Sequence, residues 1–371
     1  MENFIPAGNG PCARLQRETG LRNVKSGTVQ IVYGPAVVIR RNVMKYYLAP
    51  LEGITGHVYR NMLEKYFPGA DRYFTPFIAP DQNKVLRTKE RRDVLPENNR
   101  VGELVPQILT NRADHFLMTV RVLEELGYRE VNINLGCPSG TVASRGRGAG
   151  FLAYPDELDR FLEKIFEGTK LRISVKTRIG KEDVGELLEL MRIYQRYPLS
   201  ELIIHPRTQK EFYRFVPSDE LASRFALCRE ALGGKLSLCY NGNLLTQSDF
   251  CSFTEKFPET DSVMLGRGVI ANPGLIRQIR TGKQIERSEL RAFHDEVLDE
   301  YRALFGEDRN AVFRMKEMWI YMIHLFEDSE KYRRKIHKSQ SLAEYCAAVD
   351  TLFGTCKFLP DGPASWDLPQ K

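Results

Sequence analysis

Residues 131–138 read Val131-Asn132-Ile133-Asn134-Leu135-Gly136-Cys137-Pro138. Apolar and polar side chains alternate as far as Leu135 and then stop at a Gly-Cys-Pro turn, the pattern of a strand that ends abruptly. Glycine lets the backbone bend there and proline fixes it, so the thiol is placed to reach a ligand just past a strand end. None of the other six cysteines, Cys12, Cys228, Cys239, Cys251, Cys346 and Cys356, has this setting. The competing reading is a small buried residue that closes a turn, since free cysteine is among the most buried side chains.

On either side of this stretch, from Met44 onward, apolar strand-like runs alternate with amphipathic helical stretches. Strands are expected at 46–49, 72–77, 104–109, 131–135, 173–176, 202–205, 236–240 and 262–265. Helices with apolar residues three and four apart are expected at 114–126, 156–167, 184–197 and 218–232. The link between the second and third strands is the least regular, because Pro80 to Arg100 is polar and charged. Eight βα units argue for an α/β fold of the (β/α)8 TIM-barrel type over an open doubly wound sheet, although strand count alone does not prove closure. From Glu289 to Asp350 the pattern is helical throughout, so the barrel, at 44–287, is expected to be followed by a C-terminal all-helical domain at 288–355 and a tail at 356–371.

The chain has 371 residues, 42% of them apolar, and a net charge of +6. That length suits one large barrel with an appendage. No apolar run approaches the ~18 residues of a membrane span, and no signal peptide is evident. The seven cysteines form no CxxC pair, so neither a disulfide framework nor a structural zinc site is expected, and a reducing cytoplasm fits best.

Residues 1–43 look different, with Gly8, Gly10, Gly20, Gly27 and Gly34 scattered and no sustained period. Arg40-Arg41 is encodable as AGG-AGG, a purine-rich ribosome-binding sequence, with Asn42-Val43 as spacer before Met44. This segment is therefore expected to be a translated leader that the native protein lacks, or a disordered extension. It holds six Lys or Arg against two acids, which leaves only +2 on the remainder. Global charge is then weak evidence for nucleic acid, and that reading must rest on a local patch.

In a barrel of this kind chemistry sits at the carboxyl ends of the strands. Those ends carry Ala49-Pro50, Gln107, Asn134 with Cys137, Lys176-Thr177-Arg178, His205-Pro206-Arg207, Asn241-Gly242-Asn243 and Gly266-Arg267-Gly268. Each has a plain structural explanation alone; jointly those explanations strain. Glycine turns after the seventh and eighth strands are where this fold commonly binds phosphate, and Arg267 adds a charged fork. No GxGxxG follows the first strand and no GxxxxGK[ST] occurs, which argues against dinucleotide-fold and P-loop sites. FMN suits the arrangement, with Lys176 beside the electron-rich edge of its ring and Gln107 on the pyrimidine part. Pyridoxal phosphate competes, with Lys176 as Schiff base and no purpose for the cysteine loop.

The pieces run in the order Leu48-Ala49-Pro50-Leu51-Glu52-Gly53-Ile54-Thr55, Gln107, Asn134-Leu135-Gly136-Cys137-Pro138 and Gly146-Arg147-Gly148-Ala149-Gly150. They continue through Val175-Lys176-Thr177-Arg178, His205-Pro206-Arg207-Thr208, Tyr240-Asn241-Gly242-Asn243, Met264-Leu265-Gly266-Arg267-Gly268 and Ala271-Asn272-Pro273. From Met44 to about Phe353 the chain thereby resembles the tRNA-dihydrouridine synthases. The resemblance implies an FMN-dependent reduction of the uracil C5–C6 double bond in RNA, with NADPH or NADH as reductant. Hydride would pass from flavin N5 to C6, and Cys137 would protonate C5 as general acid. It further implies that Ala49, Pro50, Gln107, Lys176, His205, Asn241, Gly242, Gly266 and Arg267 hold FMN, and that Asn134, Arg178 and Tyr213 hold the uracil. A cytoplasmic monomer acting on tRNA or another structured RNA, without metal or membrane, is the expected form.

For the RNA backbone, the run Lys331-Tyr332-Arg333-Arg334-Lys335-Ile336-His337-Lys338 offers basic residues around an aromatic, with Arg314, Lys316, Trp319 and Tyr321 nearby. Arg333, Arg334 and Lys335 are the expected phosphate contacts, against the plain reading of a solvated helix face. The chain departs from the family pattern in three places. Ser139 to Arg145 lacks the lysines frequent after Cys-Pro, Gly56-His57 stands where an aspartate is frequent, and Asn243 stands where an acid often follows Asn-Gly. These departures bear on the substrate more than on the chemistry, and ribosomal RNA is one alternative. A small-molecule flavin oxidoreductase of the dihydroorotate or dihydropyrimidine dehydrogenase kind and a non-catalytic RNA-binding barrel are the others.

Overall fold

The computed structural model describes residues 44–362; the expected leader at 1–43 and the end of the expected tail, 363–371, lie outside the described residues. Eight parallel strands close into a barrel. They are β1 Lys45–Leu48, β2 Arg72–Phe74, β3 in two pieces at Glu103–Val105 and Gln107–Ile108, β4 Glu130–Leu135, β5 Arg172–Gly180, β6 Leu202–Thr208, β7 Leu238–Tyr240 and β8 Ser262–Leu265. The last strand pairs back onto the first, from Lys45 opposite Ser262 to Leu48 opposite Leu265. The break in β3 falls at Pro106, which has no N–H to give a ladder, yet its carbonyl still accepts from Asn132 N at 2.8 Å. The two pieces are one strand, and the sheet is closed rather than open.

The ladders differ in length. Every residue from Glu130 to Leu135 pairs across β4 and β5, and β5 pairs with β6 from Val175 to Gly180 with one bulge past Arg178. Between β3 and β4 only Gln107 and Ile108 pair. The long β5 outruns the expected 173–176 because its apolar face continues through Ile179, which is fully buried.

Strand residues point alternately inward and outward. Inside the barrel, Tyr47, Ala49, Phe74, Val105, Ile203, Cys239 and Met264 form one cluster. The outward residues, such as Tyr46 and Leu48, join the larger core beneath the helices. At the amino ends of the strands Arg72 meets Glu103 at 2.8 Å, Glu130 at 3.4 Å and Glu201 at 3.7 Å, and Tyr47 Oη donates to Glu201. That ion cluster seals the bottom, the face where this fold keeps stability rather than chemistry.

The expected barrel helices are Ala113–Glu125, Pro155–Gly168, Leu187–Tyr194 and Ser218–Leu232. The third is preceded by a 3₁₀ turn at Val184–Glu186, because Asp183 and Glu186 cap each other's backbone N–H groups and anchor the start. The stretch expected to be helical is so, in four helices, Arg287–Phe305, Asp308–Met322, Glu330–Lys338 and Leu342–Thr355. Gly306 ends the first with φ +67°, the left-handed cap that a glycine supplies without strain.

These helices share the barrel's outer core. Phe293 packs edge-on against Phe67 at 5.5 Å and Tyr59 at 5.9 Å, and its truncation to Ala is worth about 3–5 kcal/mol. Arg314 donates to the Gly53 carbonyl in the loop after β1, so the helical part leans over the barrel mouth. Beyond the last helix the chain returns: Phe358 bridges Phe326, and Asn272 Nδ2 donates to the Pro360 carbonyl at 3.1 Å. Among the described residues no helix is long and apolar enough to cross a membrane.

Candidate active site

The carboxyl ends of the strands surround a cavity of about 440 Å³. Of the expected site residues, Pro50, Gln107, Asn134, Cys137 and Lys176 line it, as do Arg178, His205, Tyr213 and Arg267. Ala49, Asn241, Gly242 and Gly266 sit just behind. Asn241 Nδ2 donates to the Met264 carbonyl at 2.7 Å and ties β7 to β8, while a Cβ on Gly266 would meet that of Ala49 at 3.3 Å. At Gly242 a side chain would collide with the Tyr240 hydroxyl, so protein packing by itself demands glycine in that turn.

A chain of buried amides sets the thiol. Asn132 Nδ2 donates to Ser174 Oγ at 3.0 Å, Gln107 Nε2 to Asn132 Oδ1 at 2.8 Å, and Asn134 Nδ2 to Gln107 Oε1 at 2.7 Å. Asn134 Oδ1 then accepts from Gly136 N at 3.1 Å and Cys137 N at 2.9 Å, an Asx turn that fixes the cysteine's backbone. From the other side Ala149 N donates to the Cys137 carbonyl at 3.0 Å. Gly148, at φ +56°, lies so close that a Cβ would stand 2.8 Å from that oxygen. Burial pushes the Cys137 thiol up, against a smaller pull from the Ser139 backbone, Arg178 and Lys176. The group is therefore held as a neutral thiol, a proton donor, at neutral pH.

Near the thiol stand four cations, Lys176, Arg178, Arg207 and Arg267. Burial first, and then Arg178, bring Lys176 down to about 8. Burial and Arg267 bring Arg207 to about 10. His205 lies among all four, and burial with Arg178, Lys176, Arg207 and Arg267 holds it well below its usual range, hence neutral. Arg178 donates through Nε to Gly136 O at 3.0 Å and through Nη1 to Thr208 O at 2.7 Å and Phe212 O at 2.9 Å. The Tyr213 ring stands between two guanidinium groups, 5.4 Å from Arg178 and 4.9 Å from Arg267. The nearby carboxylate of Glu211 is engaged by Arg224 at 2.8 Å. Two buried donors, Arg178 Nη2 and Arg207 Nε, have no hydrogen-bond partner. Clustered buried cations with donors to spare suit an anion, although Glu52 and Glu317 also line the cavity.

Glu317 escaped the sequence reading, and Tyr321 was named there only beside the basic run; both reach the cavity from the Asp308–Met322 helix, and their place there depends on how that helix docks. Phe212 also lines it, at φ +51°, a strained conformation for a bulky residue held by the bond from Arg178 to its carbonyl. Arg207 was legible in the His-Pro-Arg run, but nothing in the run marks its orphaned Nε. Among the described residues no His, Cys, Asp and Glu cluster forms a metal site.

Arg333, Arg334 and Lys335 lie away from the cavity, on the Glu330–Lys338 helix. That helix buries Tyr332 and Ile336. Arg333 is ion-paired with Glu330 at 2.7 Å. Arg334 reaches the same Glu330 more loosely, at 3.8 Å, and shares a surface groove with Lys331, Lys335 and Lys338, one face at helical spacing. In the neighbouring Arg314–Tyr321 stretch two residues prove to be packing: Trp319 is buried and donates to Tyr345 Oη at 2.7 Å, and Lys316 donates to the Ser339 carbonyl. At two of the departures from the family pattern, His57 pairs with Asp93 at 3.0 Å, and Asn243 Oδ1 accepts from Arg267 at 2.9 Å.

A closed α/β barrel whose carboxyl-end mouth gathers a fixed thiol, a neutral histidine and four cations defines a barrel enzyme. The sequence model of the dihydrouridine synthases matches residues 47–357. The chain is 24% identical over 310 residues to a probable tRNA-dihydrouridine synthase of Staphylococcus aureus (strain COL), covering 82% of this chain and 92% of that protein. It is 25% identical over 312 residues to the probable tRNA-dihydrouridine synthase 2 of Bacillus subtilis (strain 168), covering 82% and 93%. Among solved structures, morphinone reductase superposes with a TM-score of 0.46 at 12% identity, over 65% of this chain and 87% of that one. The chain belongs to the dihydrouridine synthase family, a class of flavin-dependent oxidoreductases.

Proposed function

We propose that this protein reduces uridine to 5,6-dihydrouridine in tRNA, using FMN and a reduced nicotinamide cofactor, in the cytoplasm. The observation that carries the reading is the pairing of a protonated, backbone-locked thiol with the buried cations Lys176, Arg178 and Arg267 in one cavity. The residues fit FMN: Arg267, Arg207 and the orphaned donors suit a phosphate, and Lys176 suits the electron-rich edge of a flavin ring. Ala49, Pro50, Gln107, His205, Asn241, Gly242 and Gly266 complete the FMN-holding set in this reading. Bound and reduced, FMN supplies the hydride that uracil C6 accepts.

The chain's own residues do the rest. Cys137 delivers a proton to C5 from Sγ and leaves as thiolate, which Lys176 and Arg178 stabilise and solvent reprotonates. Asn134 and Arg178 hold the polar edge of the uracil, and Tyr213, braced between two guanidinium groups, packs on its ring. The target base must leave its stack to reach a cavity this deep. In this reading 44–287 is the catalytic barrel and 288–355 carries the RNA backbone, gripped by Lys331, Arg334, Lys335 and Lys338 more than by the paired Arg333. Mass mapping of dihydrouridine in tRNA and ribosomal RNA from cells lacking the gene tests the whole. At least one uridine should lose its two-hydrogen addition, with the loss in tRNA; intact dihydrouridine throughout would refute it.

A further inference from the structure

A second cavity, of about 280 Å³, opens beside the first where the helical part meets the barrel. Pro76 lines both, and Gly53 of the second stands between Glu52 and Ile54 of the first. One wall is apolar, built from Val58, Leu304 and the parallel rings of Tyr301 and Phe305, 5.7 Å apart. The rim is cationic: Lys89, Arg92 and Arg314 face it. Its one acid, Asp93, is already taken by His57 through both ring and backbone. Lys89 pairs with Glu52 and Arg314 donates one N–H to Gly53. Arg92 is exposed and has no ion pair among the described residues.

An apolar slot with a cationic rim matches a nucleobase that carries phosphate. We propose that this cavity takes the adenosine-phosphate end of the reduced nicotinamide dinucleotide, purine on the Tyr301–Phe305 wall and phosphates at Arg92 and Arg314. The inference rests on the function proposed above, in which two ligands use the catalytic cavity in turn. The uracil finds its contacts on the β4 to β6 side, at Asn134, Cys137, Arg178 and Tyr213. A dinucleotide whose nicotinamide occupies that cavity extends well beyond it, and its far end needs an anchor next door. With Lys89 held by Glu52 and Asp93 by His57, Arg92 and the free edge of Arg314 are left for phosphate, and the extra phosphate of NADPH gives them more to hold than NADH does.

The test uses the full-length, FMN-loaded protein and its Arg92→Gln variant, an exposed change that the fold tolerates. Calorimetry should show 2′,5′-ADP binding the unaltered protein more tightly than 5′-AMP, with about a tenfold loss in the variant. In rapid mixing, the NADPH concentration that half-saturates flavin bleaching should rise by about the same factor, NADH should change far less, and tRNA binding should hold. Absence of 2′,5′-ADP binding while NADPH still bleaches the flavin would overturn the cavity assignment alone. Weakened tRNA binding with unchanged NADPH saturation would overturn it in favour of an RNA nucleotide. Flavin that neither nicotinamide bleaches would sink the reductant reading and this inference with it.

Discussion

Lys176→Met should make the flavin-free protein more stable, because the ammonium of Lys176 is kept in the barrel at a cost. Its pKa stands at about 8 against an ordinary 10.5, chiefly through burial and then through Arg178. A tenfold change in proton affinity is about 1.4 kcal/mol, so the charged form is disfavoured by about 3 kcal/mol. That figure is an upper value, since the amine lines an open cavity rather than a closed core. Below pH 8 folded and unfolded chains both carry the proton, and the penalty is fully present. Between pH 8 and 10.5 the folded chain sheds its proton first, and stability rises; above 10.5 the penalty is gone. Urea denaturation in phosphate-free buffer should therefore find Lys176→Met more stable than the parent at pH 7, by up to about 3 kcal/mol. The gap should narrow toward pH 10.5. FMN affinity should fall in the same variant. A variant equally or less stable at pH 7, or a gap indifferent to pH, would refute the reasoning.

Cys137→Ala should keep its yellow FMN and its RNA affinity while turnover falls by about 10²-fold or more, because only a proton donor is removed; a colourless variant would return the cysteine to a packing role. Changing Lys331, Arg334, Lys335 and Lys338 together to Gln should weaken tRNA binding and reduce its salt slope by about 0.7–0.9 for each phosphate no longer neutralised. Arg333→Gln, which breaks only the pair with Glu330, should leave that slope nearly unaltered. Filter binding across salt concentrations separates the two cases, and equal slopes for parent and quadruple variant would remove the RNA face. Asn272→Ala strands the Pro360 carbonyl and the Gly274 N–H, a loss of about 1–3 kcal/mol. Limited proteolysis should then cut near Pro360 sooner than in the parent, and an unchanged cleavage rate would contradict that role.

The barrel was legible because parallel strands buried on both faces read as short apolar runs, and polar residues clustered at their carboxyl ends. Periodicity could not show that Pro106 interrupts β3 without ending it, since a proline removes one donor and leaves the acceptor. Nor could it place the breaks among the C-terminal helices, where Gly306 caps one turn inside an otherwise continuous pattern. In the cavity, side chains at strand ends were found by position alone. Glu317 was not, and Tyr321 was read only beside the basic run, because tertiary docking rather than local pattern turns that helix face to the mouth. Trp319 shows the converse: its place beside basic residues suggests the RNA face, and only its burial against Tyr345 makes it packing.

The unequal ladders of the barrel divide it into parts of different persistence. The amides of β4, β5 and β6 sit in its longest continuous pairing, so their exchange with solvent deuterium should be the slowest in the sheet, behind the short seam at Gln107 and Ile108. Cys137, Lys176, Arg178 and His205 all hang from that slow half. Breathing at the seam would thus reach the thiol through Gln107, whose amide holds Asn134 and with it the Cys137 turn, while Lys176, Arg178 and His205 keep their spacing on the slow strands.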